Sequence, residues 1–146
     1  MRVTLDSTIL VRANHLGSGP ARALLLELLD RGHTLVLSPS ILEELERVLH
    51  YPRLMKRFAL TEEDIREYMT FLSASAEIVE VDSSLITPIR DPNDVHVLQT
   101  AISGRVEFLC TLDQHFKTDP VSSFASAIGI TIIADLDLLR RVRRTQ

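Results

Sequence analysis

The stretch HTLVLSPSILEELERVLHYP, residues 33–52, places a short apolar run directly before a helical pattern. Thr34–Leu37 has the composition of a buried strand. Ser38 and Pro39 then supply the N-cap and first-turn residues that favour the start of a helix. Apolar residues recur at helical spacing until Pro52 ends the pattern. The stretch is therefore predicted to form a strand followed at once by a helix.

The alternation of strand and helix continues along the whole chain. Strands are expected at Val3–Leu5, Thr34–Leu37, Glu77–Val81, Val106–Thr111 and Ile130–Ile133. Helices are expected at Ala21–Asp30, Pro39–His50, Thr61–Ala76, Asp91–Gly104 and Asp135–Arg144, with a short helical piece at Leu54–Phe58. This order predicts an α/β fold with a mainly parallel sheet of about five strands.

The composition is that of one folded domain. The chain has 146 residues, of which 45% are hydrophobic and 5% aromatic, so aliphatic side chains must fill the core. A net charge of −4 argues against strong non-specific binding to nucleic acid, although basic residues concentrate around Pro52 and at 140–144. No segment is typical of a signal peptide or membrane span, and the single cysteine, Cys110, cannot form an internal disulfide. These features favour a cytoplasmic location without membrane contact.

Four acidic residues stand where the predicted fold would bring them to one rim of the sheet. Asp6 and Asp113 each follow a predicted strand, and the carboxyl ends of parallel strands share one edge. Glu44 and Asp94 lie on predicted helices. Clustered carboxylates repel one another unless they are protonated or bridged by a cation. Oxygen ligands of this kind favour Mg²⁺ or Mn²⁺.

Glu44 is one of three neighbouring acids on its helix. Glu43 points away from the apolar stripe and should be solvated. Glu44 lies at the edge of the stripe, between Ile41 and Val48. Glu46 lies on the other edge, so periodicity alone leaves it as a rival to Glu44.

Each of the other acids also has a structural interpretation. Leu98 and Ala101 follow Asp94 at helical spacing, which places this carboxylate on the buried face of its helix. The helix dipole explains an acid in a first turn but not its inward direction. Asp113 could instead cap a short helix, and Asp6 could start a turn after its strand.

Other catalytic motifs receive little support. The histidines show no paired zinc spacing, and the chain lacks a CxxC pair, a GxSxG elbow and a phosphate-binding glycine loop. His96 and His115 are expected at the surface or at the rim of the acidic site. An aspartate-based phosphoryl acceptor would need a second acid beside Asp6 and a well-placed lysine, for which Lys117 is only a loose candidate.

Five stretches resemble the PIN domain, and more narrowly the VapC-type ribonucleases of toxin–antitoxin pairs. They are VTLDSTILVRA (3–13), LVLSPSILEELERVLHYPRL (35–54), DPNDVHVLQTAISG (91–104), FLCTLDQHF (108–116) and GITIIADLDLL (129–139). Together they span nearly the whole chain, from Val3 to Leu139, in the family's order and spacing. The resemblance implies one domain over residues 1–146, folded as a three-layer sandwich with a twisted sheet between helices.

According to the resemblance, the family's four catalytic acids correspond to Asp6, Glu44, Asp94 and Asp113. It selects Glu44 over Glu46 because the family's glutamate precedes a leucine. Asp6, Asp94 and Asp113 would bind Mg²⁺ or Mn²⁺. The supporting residues would be Thr111, which matches a family threonine two residues before the last acid, and Ser7.

The implied activity is metal-dependent hydrolysis of RNA phosphodiester bonds by a homodimer that a small antitoxin inhibits. Ser7-Thr8 stands where the family usually has Thr-Asn, and Leu112 stands where glycine is common. The bulkier Leu112 would shift Asp113 or narrow the crevice. These departures leave a second hypothesis open, a non-catalytic module that binds RNA or protein and keeps the acids as structural caps.

Overall fold

A parallel sheet of five strands forms the middle of the protein, whose computed structural model describes residues 1–145. The strands are β1 (Arg2–Leu5), β2 (Thr34–Leu37), β3 (Glu77–Ile78), β4 (Phe108–Cys110) and β5 (Thr131–Ile133). Their order is β3-β2-β1-β4-β5, and all neighbouring pairs are parallel. Leu5 lies opposite Cys110, so Asp6 and Thr111 leave the sheet side by side.

Helices connect the strands and cover both faces of the sheet. They are α1 (Ser7–Arg12), α2 (Pro20–Asp30), α3 (Pro39–Leu49), α4 (Pro52–Phe58), α5 (Glu62–Ser75), α6 (Pro92–Ser103), α7 (Gln114–Lys117), α8 (Val121–Ala127) and α9 (Asp135–Arg144). Right-handed crossovers in this strand order place α1–α5 on one face and α6–α8 on the other. This arrangement confirms the predicted α/β sandwich with a parallel sheet.

The strand and helix ends follow local chemistry. Ser38 caps α3 by accepting the backbone N–H of Ile41, as predicted. Thr61 caps α5 in a capping box with Asp64. β3 ends at Ile78, short of the predicted Val81, because its partner β2 ends at Leu37.

The sequence analysis did not predict α1 or α8, and it predicted a longer β4 than the structure has. α1 was missed because its six residues are rich in β-branched side chains, which resemble a continuation of β1. α8 was missed because its Ser and Ala residues lack a clear apolar stripe. β4 covers only Phe108–Cys110 of the predicted Val106–Thr111.

The core is built from aliphatic side chains, as the composition predicted. Cys110 is fully buried on β4, and burial raises the pKa of its thiol, which agrees with an inert core residue. Gly104 ends α6 where the helix meets β2, and a Cβ atom there would lie 2.3 Å from Val36 Cγ1. Within residues 1–145, no helix combines the length and apolar character needed to cross a bilayer.

Candidate metal and active site

Asp6 is fixed at the carboxyl end of β1 by hydrogen bonds to two neighbouring elements. Its backbone N–H donates to the carbonyl of Cys110 at 3.1 Å. One carboxylate oxygen accepts the backbone N–H of Ile9 at 2.9 Å and so caps α1. The other oxygen accepts the hydroxyl of Thr111. The carboxylate is therefore oriented before any ligand arrives.

The environment of Asp6 disfavours its charged form. The residue is only 7% exposed, and burial raises the pKa of its carboxyl to about 6. The hydrogen bonds lower this pKa, whereas the charges of Asp113 and Glu44 raise it further. The repulsion shows that these three acids, which come from distant parts of the chain, act on one another in the fold.

Thr111 joins two of the acids through one buried hydroxyl. This hydroxyl donates to Asp6 and accepts the backbone N–H of Asp113 at 3.0 Å. The side chain is fully buried, so both hydrogen bonds are protected from water. This geometry supports a positioning role, which stays a prediction.

Asp113 caps the short helix α7 and faces a histidine. Its carboxylate accepts the backbone N–H of His115 at 2.9 Å, which confirms the capping interpretation. The same oxygen lies 3.0 Å from Nδ1 of the His115 ring, an ion pair when the ring is protonated. The side chain of Asp113 is about one-third exposed, so the cap leaves part of the carboxylate open to a ligand.

Asp94 completes a group of three donors with Asp113 and His115. One oxygen of each carboxylate and one ring nitrogen lie within 4.8 Å of one another. Burial raises the pKa of the Asp94 carboxyl, and the charges of Asp113 and Asp91 raise it further. The charge of His115 lowers this pKa and so offsets part of the repulsion. Converging donors of which two are carboxylates that repel one another suit a divalent cation, so the residues fit the predicted Mg²⁺ or Mn²⁺.

Glu44 is held by a histidine from another helix. Its carboxylate lies 3.2 Å from Nε2 of His96 on α6, and both side chains are 19% exposed. Glu43 and Glu46 are exposed, so the spacing was right about Glu43, and burial favours Glu44 over Glu46, which the spacing had left open. Nδ1 of His96 is buried and has no hydrogen-bond partner within residues 1–145.

His96 lies beside Glu44, and His115 lies beside Asp113. The sequence analysis did not predict either contact. The contact between His96 and Glu44 joins α6 to α3, so it depends on tertiary packing. The position of His115, two residues after a capping aspartate, is a local signal that could have indicated it. Ser7 begins α1 directly after Asp6 and is partly exposed, and its supporting role stays a prediction.

Two cavities adjoin the acids. The first, of about 520 Å³, has a lining that includes Pro88, Ile89, Arg90, Asp94, His115, Phe116 and Val121. The second, of about 380 Å³, is lined by Ser40, Glu43, Glu44, Arg47, Asn93 and His96. The start of α6 contributes to both linings, through Asp94 in the first and Asn93 and His96 in the second.

A second group of possible metal donors has a structural explanation. His15, Asp64 and Glu67 also bring ligand atoms within 4.8 Å of one another. Asp64, however, uses one carboxylate oxygen for the capping box with Thr61 and the other for His15 at 3.1 Å. This group therefore serves the start of α5.

Comparison with known proteins agrees with this fold. A chain of VapBC2 from Rickettsia felis, solved as a crystal structure bound to a DNA fragment from their promoter, has a similar structure. The match has a TM-score of 0.61 and 19% identity, and it covers 92% of this chain and 98% of that chain. Comparison with curated protein sequences gave no match. The family model of the PIN domain matches residues 2–115. The chain therefore belongs to the PIN domain family.

Proposed function

We propose that this protein is a metal-dependent endoribonuclease and the toxin component of a type II toxin–antitoxin pair. The observation that carries the proposal is the meeting of Asp94 and Asp113 within 4.8 Å, together with the repulsion between Asp113 and the buried Asp6. Acids that only cap helices would not be stabilised by facing one another, because like charges repel.

Asp6, Asp94 and Asp113 would hold the cation, and His115 is a further donor. When bound, the cation would activate a water molecule for attack on phosphorus and offset charge on the phosphoryl oxygens. Asp6 keeps lone pairs free for this task because its two hydrogen bonds use only part of its acceptor capacity. Mg²⁺ and Mn²⁺ are the expected ions because most donors are carboxylate oxygens.

Glu44 would orient the attacking water or accept its proton. Nε2 of His96 lies 3.2 Å from the carboxylate and would form an ion pair with it when the ring is protonated, which would restrain Glu44. Thr111 restrains Asp6 through its hydrogen bond. The protein's own contribution is thus to hold negative groups in fixed positions around the reacting phosphate.

The substrate and partner proposals rest on the family. RNA is the proposed substrate, and a small antitoxin that occupies the site is the proposed inhibitor. The likeness to a VapBC2 chain supports this context. A homodimer in the cytoplasm is proposed on the same ground.

The direct test is cleavage of single-stranded RNA by the purified protein with Mg²⁺ or Mn²⁺, compared with EDTA. Asp94→Asn should abolish cleavage while the fold persists. Asp137→Asn removes an exposed acid from α9 and should cleave like the wild type. Equal activity of Asp94→Asn and wild type would contradict the proposal.

A non-catalytic RNA-binding or protein-interaction module is the second candidate, because structural tasks occupy several of the acids. Asp6 caps α1, Asp113 caps α7, and Glu44 pairs with His96. This candidate predicts that the protein binds RNA or a partner without cleaving RNA in any metal. Tight binding of RNA with no products in Mg²⁺ or Mn²⁺ would favour it.

A further inference from the structure

Arg47 on α3 presents an oriented cation that lacks an acidic partner. Its guanidinium donates to the hydroxyl of Tyr51 at 2.7 Å. Among residues 1–145, no carboxylate oxygen lies within 4.0 Å of this guanidinium. Glu43 stands one turn earlier, at the spacing that favours ion pairs on a helix, yet it does not pair with Arg47. A neutral hydroxyl, rather than a carboxylate, thus orients Arg47.

The position of Arg47 relates this charge to the acidic site. Arg47 lines the cavity of about 380 Å³ that also contains Glu44 and His96. The rest of the lining is Ser40 and Asn93, both of which can hydrogen-bond to a nucleotide, and Glu43, whose exposed side chain opposes an anion unless it turns to solvent. An anion in this cavity would lie between Arg47 and the proposed catalytic acids.

We propose that Arg47 binds a backbone phosphate of single-stranded RNA, next to the phosphodiester that is cleaved. This inference rests on the proposed function and names one contact of its substrate. A guanidinium has five N–H donors in a planar fork that matches two phosphate oxygens, and the bond to Tyr51 uses only one of them.

The neighbouring helix favours a polynucleotide over a single phosphate. α4 follows Tyr51 directly and adds three exposed basic residues, Arg53, Lys56 and Arg57. None of the three lies within 4.0 Å of a carboxylate among residues 1–145. A polynucleotide carries several phosphates and can use such additional charges, whereas a single phosphate cannot.

A purely structural role for Arg47 makes a different prediction. In that role the Arg47–Tyr51 hydrogen bond would only tie the last turn of α3 to the N-cap of α4. Its loss would lower the melting temperature slightly and leave RNA binding unchanged. Binding and its salt dependence therefore separate the two roles.

The experiment measures binding of a short, unstructured fluorescent RNA by anisotropy over a series of salt concentrations. All variants carry Asp94→Asn, which prevents cleavage during the titration. Arg47→Ala should weaken binding about fivefold and lower the slope of log K against log[salt] by about 0.7, the contribution of one phosphate contact on a single strand. Arg47→Lys should restore most of the slope, because it keeps the charge.

Two controls separate this contact from general electrostatics. Arg66→Ala removes an exposed arginine of α5, changes the net charge equally and should leave the slope within error of the parent. Tyr51→Phe keeps the Arg47 charge but removes its hydrogen bond, so affinity should fall with little change in slope.

The outcomes distinguish this inference from the proposed function. Equal slopes for Arg47→Ala and Arg66→Ala, with RNA still bound by the parent, would overturn the role of Arg47 alone. Absence of RNA binding by the parent and of cleavage by the wild type would overturn both. Circular dichroism melting of each variant confirms that the measured protein is folded. If Arg47→Ala does not fold, Arg47→Gln, which removes the charge but keeps a long polar side chain, supplies the test with the same expected loss of slope.

Discussion

The buried hydroxyl of Thr111 donates a hydrogen bond to the carboxylate of Asp6 and so connects the carboxyl ends of β4 and β1. The same hydroxyl accepts the backbone N–H of Asp113. One side chain thus holds two of the proposed metal ligands in a fixed relation. The arrangement makes Thr111 a positioning residue whose removal should affect both acids.

Thr111→Val should keep the shape of the side chain and remove both hydrogen bonds. Because Asp6 and the Asp113 N–H would lose a buried partner, the free energy of unfolding should fall by about 1–3 kcal/mol at neutral pH. Mn²⁺ affinity should fall as well. Urea unfolding and calorimetry check these effects, and Thr111→Ser, which retains the hydroxyl, serves as the control. Wild-type stability and metal affinity in Thr111→Val would contradict the role.

Asp6→Asn should stabilise the metal-free protein at neutral pH. The pKa of the Asp6 carboxyl is about 6 in the fold and 3.8 ordinarily, so ionisation is harder in the folded state. The resulting penalty is absent below about pH 4, grows between pH 4 and pH 6, and reaches at most about 3 kcal/mol above that range. Asparagine removes the penalty and can still cap α1 through its amide oxygen.

The check on Asp6→Asn is urea unfolding in EDTA at several pH values. The difference between variant and wild type should be near zero below about pH 4 and favour the variant at pH 7. Excess Mn²⁺ should stabilise only the wild type. A variant that is clearly less stable than the wild type at pH 7 without metal would favour a structural role for Asp6.

Glu44→Gln should lower the RNA cleavage rate by about 10²-fold or more if Glu44 orients water or accepts a proton. Glu46→Gln is the matched control, because Glu46 is exposed on the same helix and should have no effect. Single-turnover kinetics measure the chemical step separately from binding. A loss of rate in Glu46→Gln with full activity in Glu44→Gln would reverse the assignment.

Gly104→Ala should destabilise the fold by about 1–3 kcal/mol, because the added methyl group would meet Val36 at 2.3 Å and force α6 away from β2. Ser103→Ala tests the neighbouring position without this clash. The double variant Gly104→Ala with Val36→Ala should recover part of the lost stability, which thermal unfolding would show. Additive losses in the double variant would indicate that the two sites are independent.

The sequence predicted the features that depend on local chemistry. Ser38 and Pro39 define the start of α3, and the apolar stripe on that helix correctly separates partly buried Glu44 from exposed Glu43. The stripe did not separate Glu44 from Glu46, which only the resemblance distinguished. Local pattern could not reveal α1, because the same residues suit a strand until Asp6 caps them as a helix.

The remaining features depend on contacts between distant segments. The pair of Glu44 with His96 joins α3 to α6, and only the packed fold shows that these side chains meet. The same holds for Thr111, whose hydroxyl could be expected near an acid but not as a link between Asp6 and Asp113. A family resemblance selected the four candidate acids, and the fold shows the contacts that hold Asp6, Asp113 and Glu44.

The most direct test of the account is titration calorimetry of the purified protein with Mn²⁺. The account expects binding by the wild type at neutral pH, and loss of most of that binding in Asp94→Asn and in Asp113→Asn. Glu67→Gln, which alters the other acidic group beside α5, should bind like the wild type. No binding by the wild type, or unchanged binding in both aspartate variants, would contradict the claim that these carboxylates form one cation site.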